Sequence, residues 1–251
     1  MARLYWLSDE EWARIEPYLP RGRRGAHRVD DRRVISGIVH MLKVGARWRD
    51  CPSEYGPYTT IYNRFNRWSK QGVWEDIFYA LTGKSVVVST TAVDSTHIKA
   101  HRSAAGAKGD FEHAIGRSRG GRTTKIHAIT DALGRPIALS ITPGQTHDLV
   151  GAAMLLERIP TPKRLLADRA YDAAKLRDWL IERGCQPVIP PNPTRKHPQS
   201  YDKVAYRDRN RVERMFCRLK DFRRIATRYD KRADIFLAAI CLAASITWWL
   251  N

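Results

Sequence analysis

The stretch YRDRNRVERMFCRLK (residues 206–220) combines carboxylate chemistry with an excess of cations. Six of its fifteen residues are Arg or Lys, and Glu213 lies among them. If the stretch is a helix, Tyr206, Arg209, Glu213 and Lys220 project from one stripe. Glu213 could then hold a divalent cation whose bound phosphates contact Arg209 and Lys220. Arg209 and Glu213 are also spaced as the i,i+4 ion pair of a solvated helix, and this alternative stays open.

Two aspartates could supply further ligands for the same cation. A magnesium site for phosphoryl transfer needs hard oxygen ligands, usually carboxylates from separate elements. Asp94 lies inside AVDSTHI, within a predicted strand, where Asp is disfavoured. Asp168 follows RLLA, at the carboxyl end of a short apolar strand, where open α/β sheets place their sites. Because Asp in a strand costs stability unless it is bonded, we interpret both as metal ligands.

The neighbouring aspartates have structural interpretations instead. Asp131 lies in a predicted hairpin turn, while Asp148 and Asp172 each precede a helical stretch and are predicted to be N-caps. Asp168 is preferred to Asp172 as the second ligand, although the sequence leaves that choice open. The roles of His97, His127 and His147, near the same segments, also stay open.

The charge of the chain indicates a polyanionic partner. The 251 residues include 44 Lys and Arg against 26 Asp and Glu, a formal net charge of +18. Residues 195–232 alone contain fourteen Lys and Arg against five Asp and Glu, which is half of the excess. A concentrated basic patch favours a phosphate backbone, whereas a basic surface that only improves solubility would be diffuse.

Cysteine usage and hydropathy indicate the compartment. The four cysteines form no C-x-x-C pair, which suits a reducing environment, and MARLYWLSDEEW has no signal-peptide core. Residues 235–250 are uncharged, but they fall short of the ~20 residues that a bilayer requires. We predict a cytoplasmic protein without a membrane partner, whose apolar final helix is buried against a sheet.

Residues 1–83 are predicted to form a small all-α, helix-turn-helix-like DNA-binding domain. Ser8 and Glu11 have capping-box spacing, and residues 30–45 carry a helical apolar stripe. The next helix, YTTIYNRFNRWSKQG, is amphipathic and is predicted to turn Arg64, Arg67 and Lys70 outward towards DNA. A plain helical bundle is the alternative.

Residues 84–251 are predicted to form a second, α/β domain. A Val- and Thr-rich strand (84–101) precedes a Gly-rich basic loop (104–122), in which Arg117, Arg119 and Arg122 could follow DNA. Two strands around a turn (123–144) then form a hairpin, and the order continues helix, strand, helix, strand, helix.

These motifs together resemble a known family. Tyr206, Arg209, Glu213 and Lys220 match the signature Y-x2-R-x3-E-x6-K of bacterial insertion-sequence transposases. With Asp94 in VDSTHIKAH and Asp168 in LADRAYDA, nearly the whole chain resembles a DDE transposase of the insertion sequence five family. Such proteins commonly have Gly where this chain has Ala170, a difference that leaves the ligand itself intact.

The resemblance implies both a fold and an activity. It implies an RNase H-like catalytic domain, a mixed sheet flanked by helices, with Asp94, Asp168 and Glu213 as catalytic ligands of two Mg²⁺ ions, for which Mn²⁺ can substitute. The expected reactions are metal-dependent cleavage at the terminal inverted repeats and strand transfer into target DNA. Tyr206, Arg209 and Lys220 are expected to contact DNA. The expected partners are double-stranded transposon ends and target DNA, and a homodimer or higher oligomer in the synaptic complex.

Two other functions remain compatible with the sequence. A non-catalytic, transposase-derived regulator would keep the basic patch but would not need three carboxylates. An RNase H-like nuclease would cleave DNA without joining strands, and only an assay for joined products separates it from a transposase.

Overall fold

The computed structural model describes residues 3–20, 30–83, 89–105 and 112–250. In chain order its helices and strands are α1 (Asp9–Ile15), α2 (Asp31–Val44), α3 (Tyr58–Lys70), α4 (Val73–Gly83), β1 (Thr90–Ala100), α5 (Arg102–Ala105), β2 (Gly116–Ser118), β3 (Gly121–Thr130), β4 (Pro136–Pro143), α6 (Asp148–Leu156), β5 (Arg164–Leu166), α7 (Ala174–Glu182), β6 (Gln186–Val188), α8 (Lys203–Tyr206), α9 (Asn210–Lys220), α10 (Arg223–Ala226), β7 (Thr227–Arg228) and α11 (Ala233–Ala244).

The chain forms two compact units. The first contains residues 1–84, 99–113 and 219–251, and the second contains residues 85–98 and 114–218. The predicted boundary between residues 83 and 84 adjoins residues 84–88, which lie outside the described residues, as do residues 106–111 of the predicted loop. The division into a DNA-binding domain (1–83) and a catalytic domain (84–251) stays a prediction.

The first unit is built mainly from helices. The capping box of α1 is present, since the Ser8 hydroxyl accepts from the Glu11 N–H and the Glu11 carboxylate accepts from the Ser8 N–H. α2, α3 and α4 bury their apolar stripes, including Ile38, Phe65 and Trp74. α11 is buried, as predicted, but it packs against α2, α3 and α4 rather than against a sheet. Those helices offer a wide apolar surface that a helix without a polar face can fill.

The connection between α2 and α3 differs from the turn of a standard helix-turn-helix motif. It occupies residues 45–57 and contains two 3-10 turns, Trp48–Asp50 and Ser53–Tyr55. A standard motif uses about three or four residues. The likeness to that motif is therefore limited to a pair of packed helices, of which α3 is amphipathic.

The second unit contains a mixed sheet. β1 pairs parallel with β5, β5 pairs parallel with β6, and β3 lies on the other side of β1. β3 and β4 form the predicted antiparallel hairpin. The predicted loop is wrong at residues 116–118, which form β2, and at residues 121–122, which begin β3; the two strands pair antiparallel. Apart from β2, the order of three leading strands followed by alternating helices and strands agrees with the expected RNase H-like arrangement.

The hairpin turn contains the expected aspartate. Asp131 Oδ1 accepts from the N–H groups of Leu133 and Arg135, and Asp131 Oδ2 accepts from Arg135 Nε at 2.7 Å. The structural interpretation of Asp131 is confirmed.

Among the described residues, no helix is both long and apolar enough to span a bilayer.

α6 packs on β3 through a glycine. A Cβ atom built at Gly151 would lie 2.2 Å from Nδ1 of His127, whose ring is fully buried and bonded through Nε2 to the Thr142 hydroxyl at 2.8 Å. Gly151→Ala is therefore expected to destabilise the fold by about 1–3 kcal/mol through overpacking. This outweighs the roughly 0.5–1 kcal/mol that Ala gains over Gly within a helix. Urea unfolding measures the difference.

Val150→Ala, at an exposed position of α6, serves as the control and should change stability much less. A stabilised Gly151→Ala protein would contradict the packing described for His127.

Candidate active site

The guanidinium of Arg209 forms ion pairs with the three predicted carboxylates. Nη2 of Arg209 donates to Asp94 Oδ2 at 2.8 Å, and Nη1 donates to Glu213 Oε1 at 2.6 Å. Asp168 Oδ2 lies 3.8 Å from Nη2. Three side chains that are distant in sequence therefore converge on one cation.

The strand register brings the two aspartates together. Ala92 of β1 is paired with Leu166 of the parallel strand β5. Asp94 and Asp168 each follow two residues later, so both carboxylates emerge near the same edge of the sheet. Backbone groups fix the other oxygens, because Asp94 Oδ1 accepts from the Ser95 N–H and Asp168 Oδ1 accepts from the Ala170 N–H, both at 2.8 Å.

Glu213 and Arg209 come from the basic stretch, which is not one continuous helix. α8 ends at Tyr206, residues Arg207–Arg209 form a 3-10 turn, and α9 follows. The i,i+4 ion pair between Arg209 and Glu213 is present, as the structural alternative expected. It is not a solvated pair alone, because the same guanidinium also bonds Asp94 and is only 14% exposed.

The cluster has an excess of negative charge around a partly buried cation. Burial raises the pKa of Asp94 to about 6, Arg209 opposes that rise, and the charges of Asp168 and Glu213 add to it. Burial would lower the pKa of Arg209, but Asp94 and the hydrogen bond to Glu213 raise it overall. Nε of Arg209 is buried without a hydrogen-bond partner among the described residues, so the guanidinium is incompletely satisfied.

The donor set suits a hard divalent cation. Three carboxylates, one of them half exposed, are ligands that Mg²⁺ and similar ions prefer. In the described part of the chain, no three His, Cys, Asp or Glu side chains are positioned to hold a metal ion, and these three carboxylates each pair with Arg209 instead. The carboxylates fit a divalent metal ion by their chemistry, while in this structure their charges are paired with Arg209.

Comparison with known proteins identifies the family. A family described as "Transposase DDE domain" matches residues 88–248, and one described as "Putative transposase of IS4/5 family" matches residues 7–78. The chain belongs to the DDE transposases. It is 36% identical to a "Putative transposase for insertion sequence element IS6501" of Brucella ovis over 50% of this chain and 98% of that protein. A "Putative transposase for insertion sequence element IS402" of Burkholderia cepacia is 33% identical over 50% of this chain and 63% of that protein.

A solved structure of a pre-cleavage Mos1 transpososome resembles this transposase only weakly. The sequence identity is 12%, the TM-score is 0.27, and the match covers 90% of this chain and 79% of that chain. The family assignment depends on the sequence matches.

Asp148 is not the N-cap of α6, contrary to the sequence prediction. His147 is the N-cap, with its ring accepting from the Leu149 N–H. Asp148 Oδ1 instead accepts from the Ser95 hydroxyl at 2.6 Å and from Lys125 Nζ at 2.9 Å. Burial acts to raise the pKa of Asp148, but these hydrogen bonds lower it below its ordinary value. Local sequence could not show this pairing, because Ser95 and Lys125 lie on other elements of this transposase.

Asp172 also has a structural role other than the predicted one. Ala173, not Asp172, is the N-cap of α7. The fully buried Asp172 carboxylate is bonded to Arg177 Nε at 2.7 Å, to Arg195 Nε at 3.0 Å and to the Asn192 N–H at 2.7 Å. Burial acts to raise the pKa of Asp172, whereas these partners lower it. Asp168, and not Asp172, joins Arg209.

The predicted DNA-contacting side chains have mixed environments. Arg64 is wrongly predicted to face outward, because it is 5% exposed, pairs with Asp31 and lies over the Trp68 ring. Arg67 and Lys70 on the same helix are exposed. An Arg at an amphipathic boundary folds inward when a buried carboxylate is available, which a single-helix projection cannot reveal.

The basic hairpin β2–β3 exposes three arginines. Arg117 and Arg122 are directly opposite in the antiparallel register, and Arg119 lies in the turn between the strands. Like charges opposite one another weaken a strand pair, so this arrangement favours an anionic ligand.

The remaining two signature residues lie at helix ends. Tyr206 is half-buried, and burial raises its pKa, with Arg209 lowering it and Asp168 adding to the rise. Lys220 is half-buried at the end of α9, whose last two residues belong to the first compact unit. A DNA contact for Tyr206 or Lys220 stays a prediction.

The environments of Asp172 and Asp168 predict a large loss of stability when Asp172 is replaced and a small change when Asp168 is replaced. Asp172→Ala leaves buried Arg177 without its charged partner and is expected to lower the free energy of unfolding by about 3–5 kcal/mol. Asp168→Ala removes a side chain that is 36% exposed, so we expect a change below about 1 kcal/mol. Urea unfolding of both variants tests the assignment, and similar losses in the two would contradict it.

The pKa of Asp94 predicts a pH-dependent gain in stability when its charge is removed. Since that pKa is raised to about 6 from 3.8, the folded state binds more protons than the unfolded chain between these values. The free energy of unfolding therefore falls as the pH rises through this window. The free energy of unfolding of Asp94→Asn should exceed that of the wild type by about 3 kcal/mol at pH 8 and should approach the wild-type value below pH 4.

Chemical denaturation across that pH range provides the measurement. Glu157→Gln, which neutralises an exposed carboxylate in the same unit, is the control. A constant difference between Asp94→Asn and wild type at every pH would rule out the raised pKa.

Proposed function

We propose that this transposase cleaves DNA at the ends of an insertion sequence and joins the freed strand to target DNA. Asp94, Asp168 and Glu213 are the catalytic carboxylates in this proposal, and they hold two divalent ions, Mg²⁺ in the cell with Mn²⁺ able to substitute. The observation that carries the proposal is the convergence of the three carboxylates, from three separate elements, on one guanidinium.

The chemistry requires carboxylates that are held in place before the DNA arrives. When bound, a pair of divalent metal ions supplies an activated water and stabilises the departing 3′ oxygen. Asp94 and Asp168 each keep one oxygen bonded to a backbone N–H and direct the other towards Arg209. Glu213 is the most exposed of the three, at 52%, so its side chain can adjust as the site fills.

Arg209 has a second role when DNA binds. Its guanidinium neutralises the carboxylates in the free protein and would exchange them for phosphate oxygens near the scissile bond. Arginine is suited to this exchange, since its planar fork bonds carboxylate and phosphate with the same geometry. Tyr206 belongs to the same proposed DNA contact, and Lys220 is proposed to bind a DNA phosphate.

Two exposed basic surfaces are proposed to contact the DNA backbone. Arg117, Arg119 and Arg122 form one on the β2–β3 hairpin of the second unit, and Arg67 and Lys70 form another on α3 of the first unit. Terminal repeats and target DNA are the proposed partners, and joining two element ends requires a homodimer or a higher oligomer.

The two alternatives are less well supported. A DNA-binding regulator needs no carboxylate cluster, and leaving the partly buried Asp94 ionised beside two other carboxylates is unfavourable without a catalytic use. A nuclease without strand transfer would share this site, so the joined product is the discriminating observation.

Neutralising any one of the three carboxylates should remove catalysis but not DNA binding. Asp94→Asn, Asp168→Asn and Glu213→Gln are each expected to lower the rate of Mg²⁺-dependent 3′-end cleavage by at least about 10³-fold, because each loses a metal ligand. Affinity for the uncleaved end, measured by anisotropy in EDTA, should change less than about threefold, since the basic surfaces remain.

Asp178→Asn is the matched control, since Asp178 is an exposed carboxylate on α7 of the same unit. It should cleave and join strands at the wild-type rate. Parallel loss of binding and cleavage in the three site variants would argue against the catalytic assignment.

A further inference from the structure

The first compact unit contains an aromatic cavity that the proposed catalytic chemistry does not use. Its volume is about 370 Å³, and its walls include Trp48, Tyr62 and Tyr229. The rings of Trp48 and Tyr62 are 5.7 Å apart, and the Arg224 guanidinium lies 4.9 Å from the Trp48 ring and 5.9 Å from the Tyr229 ring. Tyr62 is 40% exposed and Tyr229 is 36% exposed, so large flat faces remain open to a ligand.

Four residues of this cavity each have a buried polar atom without a hydrogen-bond partner among the described residues. Two of the atoms are donors, Trp48 Nε1 and Arg224 Nε, and two are acceptors, Asn66 Oδ1 and Asp230 Oδ2. Arg224 and Asp230 are 7% and 9% exposed and are bonded to each other at 2.9 Å, but that bond uses other atoms. Buried polar atoms are nearly always bonded, so four unpartnered atoms on residues that line one cavity leave hydrogen-bonding capacity that a polar ligand could satisfy.

The mixture of donors and acceptors selects among ligands. A phosphate dianion offers acceptors only, which leaves Asn66 Oδ1 and Asp230 Oδ2 unsatisfied and places Asp230 against a like charge. A nucleobase offers donors and acceptors along one edge and a flat face for aromatic side chains. A base within a duplex is stacked and paired, so only an unpaired base can enter a cavity.

Cations at the same cavity suit the backbone of such a nucleotide. Lys70 and Lys231 line it and are exposed, and Arg67 is exposed on the same helix as Lys70. Several cations around an aromatic cavity match a nucleotide that is part of a strand with phosphates on both sides.

We propose that this cavity binds an unpaired nucleotide of the DNA on which the transposase acts. The inference rests on the proposed function, because it takes the DNA substrate from it. The base stacks on Tyr62 and Tyr229, and its polar edge bonds the side chains beneath them. The unpartnered atoms are covered in the free protein, so their bonding to the base requires the side chains around the cavity to rearrange.

The test compares duplexes of equal length that differ by one unpaired adenine, using the full chain and anisotropy at fixed salt. We expect the bulged duplex to bind more tightly by on the order of tenfold. With 2-aminopurine as the unpaired base, emission should fall on binding as the base stacks. Equal affinity for both duplexes, with no emission change, would overturn the proposal.

Tyr62→Ala and Tyr229→Ala should each reduce the preference for the bulged duplex to within about twofold of unity while leaving affinity for the paired duplex unchanged. Tyr58→Ala is the matched control, since Tyr58 is an exposed tyrosine, at 46%, on the same helix but outside the cavity. Equal thermal midpoints for the three variants show that folding is intact. A preference that survives in both cavity variants would contradict the assignment.

Two further measurements complete the test. One distinguishes a failure of this inference from a failure of the proposed function, and the other distinguishes a nucleotide within DNA from a free nucleotide. Mg²⁺-dependent end cleavage is followed in the same preparations: cleavage without a bulge preference rejects the cavity proposal alone, whereas a preference without cleavage supports it and rejects the catalytic proposal. Deoxyadenosine monophosphate at the DNA concentration should leave the anisotropy unchanged. Full competition at that concentration would reassign the cavity to a free nucleotide.

Discussion

The second unit's site depends on the pairing of the Arg209 guanidinium with three carboxylates, through hydrogen bonds to Asp94 and Glu213 and a longer ion pair with Asp168. The charges of Asp168 and Glu213 act to raise the pKa of the partly buried Asp94, and Arg209 opposes that rise. One positive charge cannot balance three negative ones. The site therefore keeps an excess of negative charge in the free protein, which favours binding of a cation of higher charge.

The rest of the unit supports this cluster by removing competing charges. Lys125 neutralises Asp148, which lies one hydrogen bond from Ser95 and so close to Asp94 along β1. Arg177 and Arg195 neutralise Asp172, which follows Asp168 by only four residues. Because other residues neutralise Asp148 and Asp172, the carboxylates that remain available to a ligand are those paired with Arg209, namely Asp94, Asp168 and Glu213.

The sequence predicted the carboxylates of the site because each violated a local expectation. Asp94 lies within a Val- and Thr-rich strand, where Asp is disfavoured, Asp168 follows a short apolar strand, and Glu213 lies within a basic helix. The parallel register between β1 and β5 brings the two aspartates together. The hairpin, the capping box and the turn role of Asp131 were predictable for a related reason, since they depend on residues a few positions apart.

The errors involve partners that are distant along the chain. Asp148 and Asp172 have the spacing of N-caps but bond Lys125 and Arg177, and Arg64 has the helical phase of an outward residue but pairs with Asp31. β2 was missed because its residues have low strand propensity. It forms a strand because its backbone pairs with β3. The role of Arg209 as the centre of the cluster could not be derived from its i,i+4 spacing alone.

The helices of the first unit are translated at very different times, although they pack together in the folded protein. α2, α3 and α4 leave the ribosome early, whereas α11, which packs against all three, is translated after the whole second unit. Contacts of such long sequence separation form late and slowly, and until then the apolar faces of the early helices need protection from aggregation. In the nascent chain, α3 and its cations therefore belong to an incompletely folded unit. Any contact with DNA that requires the folded unit is restricted to chains whose translation has reached α11.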